Sequence, residues 1–104
     1  MNALQKVINV FDKVEEKFDL DPIDLRLLAA AEDWWSQNKP LRVTDLVREF
    51  RIASSATVHY RVSASLAEAN MFLIKPNPED MREKLVVKGK RFDALVKFID
   101  EGIK

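Results

Sequence analysis

The chain has no cysteine. That absence removes disulfide scaffolds, thiol nucleophiles, cysteine-ligated zinc and thiol redox sensing together. A single histidine, His59, is too few for a histidine-rich metal site and leaves little from which to build a nucleophile–base pair. Two glycines, Gly89 and Gly102, are too few for a loop that cradles phosphate. No apolar run approaches the ~18 residues of a membrane span. The N-terminal Met1-Asn2-Ala3-Leu4-Gln5-Lys6 leads into charged residues rather than an apolar signal core, so a cytoplasmic protein with no membrane partner is expected. The acidic residues sit among lysines and arginines at helix-surface spacing, without a paired-carboxylate pattern. Neither an enzyme nor a bound cofactor or metal is therefore expected.

Neither sign of charge is in excess, with 17 Lys+Arg against 17 Asp+Glu. The balance hides an asymmetry. Residues 1–46 carry 6 basic and 9 acidic side chains, whereas residues 47–91 carry 9 and 5. The basic excess is thus confined to one central stretch, and the zero total does not exclude a polyanionic partner. At 104 residues, 47% hydrophobic and 33% charged, the chain has the size and composition of one folded domain, 1–104.

Residues 2–18 read as a helix, because Leu4, Val7, Ile8, Phe11, Val14 and Phe18 recur at steps of three and four. Such a stripe serves equally to pack on the chain's own core or against another chain. Asp21-Pro22-Ile23-Asp24 is a helix start, with Asp21 as cap, Pro22 in the first turn and Asp24 at the positive end. That helix is expected to run to about Gln37, facing Ile23, Leu27, Leu28 and Ala31 inward, with one of the adjacent Trp34 and Trp35 in the core and the other at its boundary. Leu41–Val43 is a short extended piece, Thr44–Phe50 a short helix and Arg51–Ala53 a tight connection. Ser54 or Ser55 caps a longer helix to about Asn70, whose apolar positions Val58, Val62 and Leu66 are spaced by four. Met71–Lys75 and Met81–Val87 read as strands about the turn Pro76-Asn77-Pro78-Glu79-Asp80. A last helix carries Phe92, Leu95, Val96, Ile99 and Ile103 along one stripe.

A short helix, a tight connection and a longer helix make a helix-turn-helix, and a hairpin directly after it makes a wing. Such a unit fits duplex DNA: a helix enters the major groove and a hairpin tip reaches phosphates or the adjacent minor groove. The residue types agree. Ser54 and Ser55 stand at the start of the longer helix, where hydroxyls and backbone N–H groups bind phosphate. Thr57, His59, Tyr60 and Arg61 are expected to be exposed by the apolar spacing, and Arg61 is of the type that reads guanine in a bidentate way. Lys75, Arg82 and Lys84 add cations on the hairpin, with Lys88, Lys90 and Arg91 as a rim. Arg82, two residues after Asp80 on the returning strand, is expected to share a face with it, so that the carboxylate orients the guanidinium.

At these residues the chain resembles the MarR family of winged-helix transcription factors, over roughly Leu20 to Phe92. Leu41–Phe50 is similar to the family's first helix-turn-helix segment, and Ala53-Ser54-Ser55-Ala56-Thr57-Val58 to its turn and recognition-helix start. Asn77-Pro78-Glu79-Asp80-Met81-Arg82 with Lys88-Gly89-Lys90 resembles its wing signature. The resemblance implies a homodimer built by the outer N- and C-terminal helices, the wing arginine Arg82 in the minor groove and Asp80 holding it. Three departures stand out. Asn70 and Arg51 replace glycines, and the stretch from Val58 to Asn70 is one residue longer than the pattern.

The sequence therefore points to a mainly α fold: a winged helix-turn-helix with a two-stranded β wing, flanked by N- and C-terminal dimerisation helices at 1–19 and 90–104. Two amphipathic end helices beside so small a core leave apolar surface that a second copy would cover. The expected function is a sequence-specific, double-stranded-DNA-binding transcriptional regulator, acting as a homodimeric repressor. The alternative is a winged helix that contacts a protein, such as a polymerase subunit or another regulator, since the fold serves both ends. No feature identifies an effector ligand.

Overall fold

The computed structural model describes residues 2–103. Met1 and Lys104, which close the expected 1–104 domain and the 90–104 segment, lie outside the described residues. Helix α1 (Ala3–Phe18) opens on Asn2, whose side-chain oxygen accepts from the Gln5 N–H at 2.8 Å. Its apolar stripe divides in two. Val10, Val14 and Phe18 are buried against α6 (Phe92–Ile103), while Leu4, Val7, Ile8 and Phe11 remain exposed. Gly102 lets the two helices close, because a Cβ there would stand 3.0 Å from a Val10 methyl. Phe18 and Phe98 meet edge to face at 5.6 Å.

Helix α2 (Pro22–Ser36) has the start that its residues call for. Asp21 Oδ1 accepts from the Asp24 N–H at 2.9 Å, and Asp24 Oδ2 accepts from the Asp21 N–H at 3.2 Å, a reciprocal capping box. Leu27, Leu28 and Ala31 fill the centre of the core. Both tryptophans are half-buried and take separate partners. Trp35 packs edge-on against Phe72 and Phe92 and donates to the Val86 carbonyl at 3.1 Å. Trp34 lies by Phe50 and donates to the Pro40 carbonyl at 3.0 Å.

Strand β1 (Leu41–Arg42) leads into α3 (Val43–Phe50). Arg51 turns the chain in the left-handed region at φ 50°, where glycine is the usual residue. Helix α4 (Ser55–Tyr60) continues through a π turn (Arg61–Ser65) into α5 (Leu66–Glu68). The expected single helix to Asn70 is thus interrupted: the Leu66 N–H reaches back five residues to the Arg61 carbonyl. Asn70 then reverses the chain at φ 61°.

Strands β2 (Phe72–Pro76) and β3 (Lys84–Lys88) form the wing, paired antiparallel from Phe72↔Lys88 to Pro76↔Lys84. The wing is two-stranded as expected, and the short extended piece β1 adds a third strand to the sheet by pairing with β3 at Leu41↔Val86 and Arg42↔Leu85, giving the order β1-β3-β2. Gly89 permits the close passage behind the sheet, since a Cβ would fall 2.2 Å from the Asn70 carbonyl oxygen.

Candidate nucleic-acid interface

Ser54 caps α4. Its hydroxyl accepts from the Thr57 N–H at 3.2 Å and donates to Thr57 Oγ1 at 2.9 Å. Val58, Val62 and Leu66 are buried and hold the helical segment against the core. Ser54, Ser55, His59 and Tyr60 are consequently exposed, as the spacing requires. Thr57 and Arg61, expected to be exposed with them, are half-buried. The reason is rotational. Residues two apart on a helix point roughly 200° apart, so the turn that frees His59 directs its neighbours at 57 and 61 the other way.

Arg61 finds a defined setting on that side. Its guanidinium donates to Asp24 Oδ1 at 3.1 Å and also to Asp21 Oδ2, the two members of the α2 capping box. Asp24 is buried and Asp21 partly so. Burial works against ionising Asp21. The hydrogen bonds from Arg61 and from the Asp24 backbone, with the Arg61 charge, outweigh it and hold the carboxyl below its ordinary value. The same two carboxylates raise the affinity of Arg61 for its proton. Arg61 is thus an anchor between α2 and the α4–π-turn segment, and its side chain does not stand with His59.

The wing tip is a longer turn than its prolines alone indicate. Arg82 lies within this turn, ahead of β3, and not on the returning strand. Strand alternation therefore has no part in its placement. Asp80 still contacts it: Asp80 Oδ1 accepts from the Arg82 N–H at 3.0 Å and from Arg82 Nε at 3.4 Å. The guanidinium itself projects outward, its side chain 93% exposed. At the base of the wing, Arg42 bridges Asp45 at 3.0 Å and Glu83 at 3.2 Å, tying α3 to the hairpin. These bonds keep Arg42 charged and occupied.

Between α4, the start of α3 and the wing lies a concave groove of about 250 Å³. His59 and Ser63 line it from the helical segment, Thr44 from α3, and Arg82 and Lys84 from the wing, with the Arg42–Glu83 pair across it. Three of the expected residues, His59, Arg82 and Lys84, are brought together here. Ser54, Ser55 and Tyr60 border the exposed side of the helix outside the groove. Lys75 stands apart, because it pairs with Leu85 across the sheet and so points to the face opposite Lys84. Thr44 and Ser63 were missed by sequence reasoning, although Ser63 follows His59 by four, the spacing that shares a helix face.

This arrangement is a winged helix-turn-helix fold, mainly helical with a small antiparallel sheet. A solved structure that shares it is that of the transcriptional regulator Tm0710 from Thermotoga maritima, 19% identical, with a TM-score of 0.68 over 96% of this chain and 69% of that one. At that identity the likeness is one of fold. No protein-family model matches the chain, and no curated protein does.

Proposed function

We propose that the protein is a double-stranded-DNA-binding transcriptional regulator of MarR-like type that acts as a homodimer. The observation that carries the reading is the groove in which His59 of the recognition helix faces the two wing cations Arg82 and Lys84. A helix flanked on one side by a cationic hairpin matches a major groove bordered by phosphates and the next minor groove. Ser54, Ser55 and Tyr60 are positioned to meet the sugar–phosphate backbone beside it, with Thr57 bracing the cap, while Lys75 adds a more distant charge. The shared fold of a protein that is itself a transcriptional regulator supports the same reading.

Dimerisation is supported by the apolar side chains left uncovered on α1, Leu4 at 76% and Ile8 at 56% exposure, continued by Ile103 of α6 at 51%. A second copy laid on α1 and α6 would cover them and set two recognition helices about one duplex turn, ~10 bp, apart on a palindromic site. A dimer bound across a promoter acts as a repressor by excluding polymerase. The rival reading, a protein-docking wing, draws on Met81, which is 70% exposed at the tip. Anisotropy of a labelled random duplex over a salt series tests the proposal. Binding that weakens with salt, by about 0.9 in log–log slope per phosphate neutralised, is expected. Absence of duplex binding at low salt favours the protein-docking rival.

A further inference from the structure

We propose that Ser63, and not Arg61, is the second base-facing side chain of the recognition helix, and that the Arg61 clamp and the π turn are what place it there. This rests on the DNA-binding reading above. Val58, Val62 and Leu66 are all essentially inaccessible. In a regular α-helix two steps of four residues overshoot a fixed face by roughly 80°. Leu66 should then have drifted toward the edge of the core, yet it is buried. The π turn removes the drift, with the Leu66 N–H bonded to the Arg61 carbonyl and the Ser65 hydroxyl reaching the same oxygen at 3.4 Å. Arg61 begins that turn, and its guanidinium is fixed to Asp21 and Asp24 at the start of α2. The rotation of the segment is therefore pinned twice, by its apolar anchors and by a two-carboxylate clamp.

Pinned in this way, the helix presents His59 and Ser63 to one groove, opposite Arg82 and Lys84. A serine there lets the helix backbone approach the base edges closely, and its hydroxyl both donates and accepts. Arg61 could reach a base only by leaving both carboxylates. It is a positioning residue, and Asp21 shares that role from the far side of the clamp.

Selection from a random duplex library tests this, with unfolding midpoints run beside it to show that each variant is folded. The wild-type chain should enrich a defined sequence. Ser63→Ala should flatten the preference at one base pair, by roughly fivefold or more in discrimination. Arg61→Lys, which keeps a cation by the carboxylates, should keep the preferred base at every position. Asp24→Asn, which loosens the buried arm of the clamp without altering the recognition helix, should blunt the same base pair as Ser63→Ala. A motif that loses one pair with Arg61→Lys while Ser63→Ala leaves every pair intact overturns the assignment and returns Arg61 to base reading. A wild-type chain that binds duplex DNA but enriches no sequence overturns the base-reading helix altogether, and the assignment with it.

Discussion

Replacing Arg61 with alanine removes the link between the α4–π-turn segment and α2, and the structure sets the size of the loss. A hydrogen bond to a charged group contributes about 1.5–3 kcal/mol when shielded from water. The arm to Asp24 is of that kind, since the Asp24 side chain is 8% exposed. The arm to Asp21 is not: at 43% exposure that carboxylate is screened, and the pair contributes only ~0.5 kcal/mol. Asp24 keeps its bond from the Asp21 N–H, which limits the penalty of a carboxylate left behind. The sum is about 2–3.5 kcal/mol, or roughly 10–15 °C in Tm for a domain of this size. Urea and thermal unfolding at fixed protein concentration measure it.

The pH dependence supplies a second check. The Asp21 pKa in the folded chain lies below its ordinary value of 3.8. Its share of the stability is therefore complete above that value and is lost as pH falls through the lower, folded one. The gap between wild type and Arg61→Ala should be widest near neutrality and should narrow below about pH 3.8. Equal unfolding midpoints at pH 7 would refute the clamp, and a gap indifferent to acid would remove Asp21 from it.

Three further outcomes follow from the packing. Ile8→Asp with Phe11→Asp should convert a dimer into a folded monomer, because each of these side chains contributes about 1.5–3 kcal/mol when fully covered; an unchanged mass by light scattering would remove α1 from the interface. Arg82→Ala should weaken duplex binding and reduce the salt slope by about one. Asp80→Ala should weaken it as well, although it removes a negative charge, because Asp80 holds both the Arg82 N–H and Nε; tighter binding by Asp80→Ala would show that the carboxylate only repels DNA. Gly89→Ala should destabilise the fold by ~1–3 kcal/mol or more, as its Cβ would overlap the rigid backbone at Asn70 and Met71; an unchanged Tm would contradict that close approach.

Local chemistry made much of this fold legible. Asp21, Pro22 and Asp24 announce α2 because a capping box is made by residues three apart. Asn70 announces a chain reversal because few other side chains tolerate φ 61°. The features that escaped are those decided at a distance. The partners of Arg61 lie 37 and 40 residues earlier in the chain, so nothing near it marks it as an anchor. Apolar residues spaced by four are compatible with both an α-helix and a π turn, and the bond from the Leu66 N–H to the Arg61 carbonyl that distinguishes them leaves no mark in the sequence. The extent of the wing turn was hidden because Met81, Arg82 and Glu83 suit a strand as well as a loop. The α1 stripe could not reveal that its N-terminal half lacks a cover, since the same side chains serve a core or a partner.

The groove between α4 and the wing can be tested most directly by mapping backbone amide shifts while duplex DNA is added to the protein. The account predicts that the largest changes cluster at Thr44, at Ser54–Ser63 and at Arg82–Lys84, with smaller ones at Lys75, and that α1 and α6 stay quiet. Changes confined to α1, α6 or the outer face of the sheet around Leu73, with His59 and Arg82 unmoved, would contradict it.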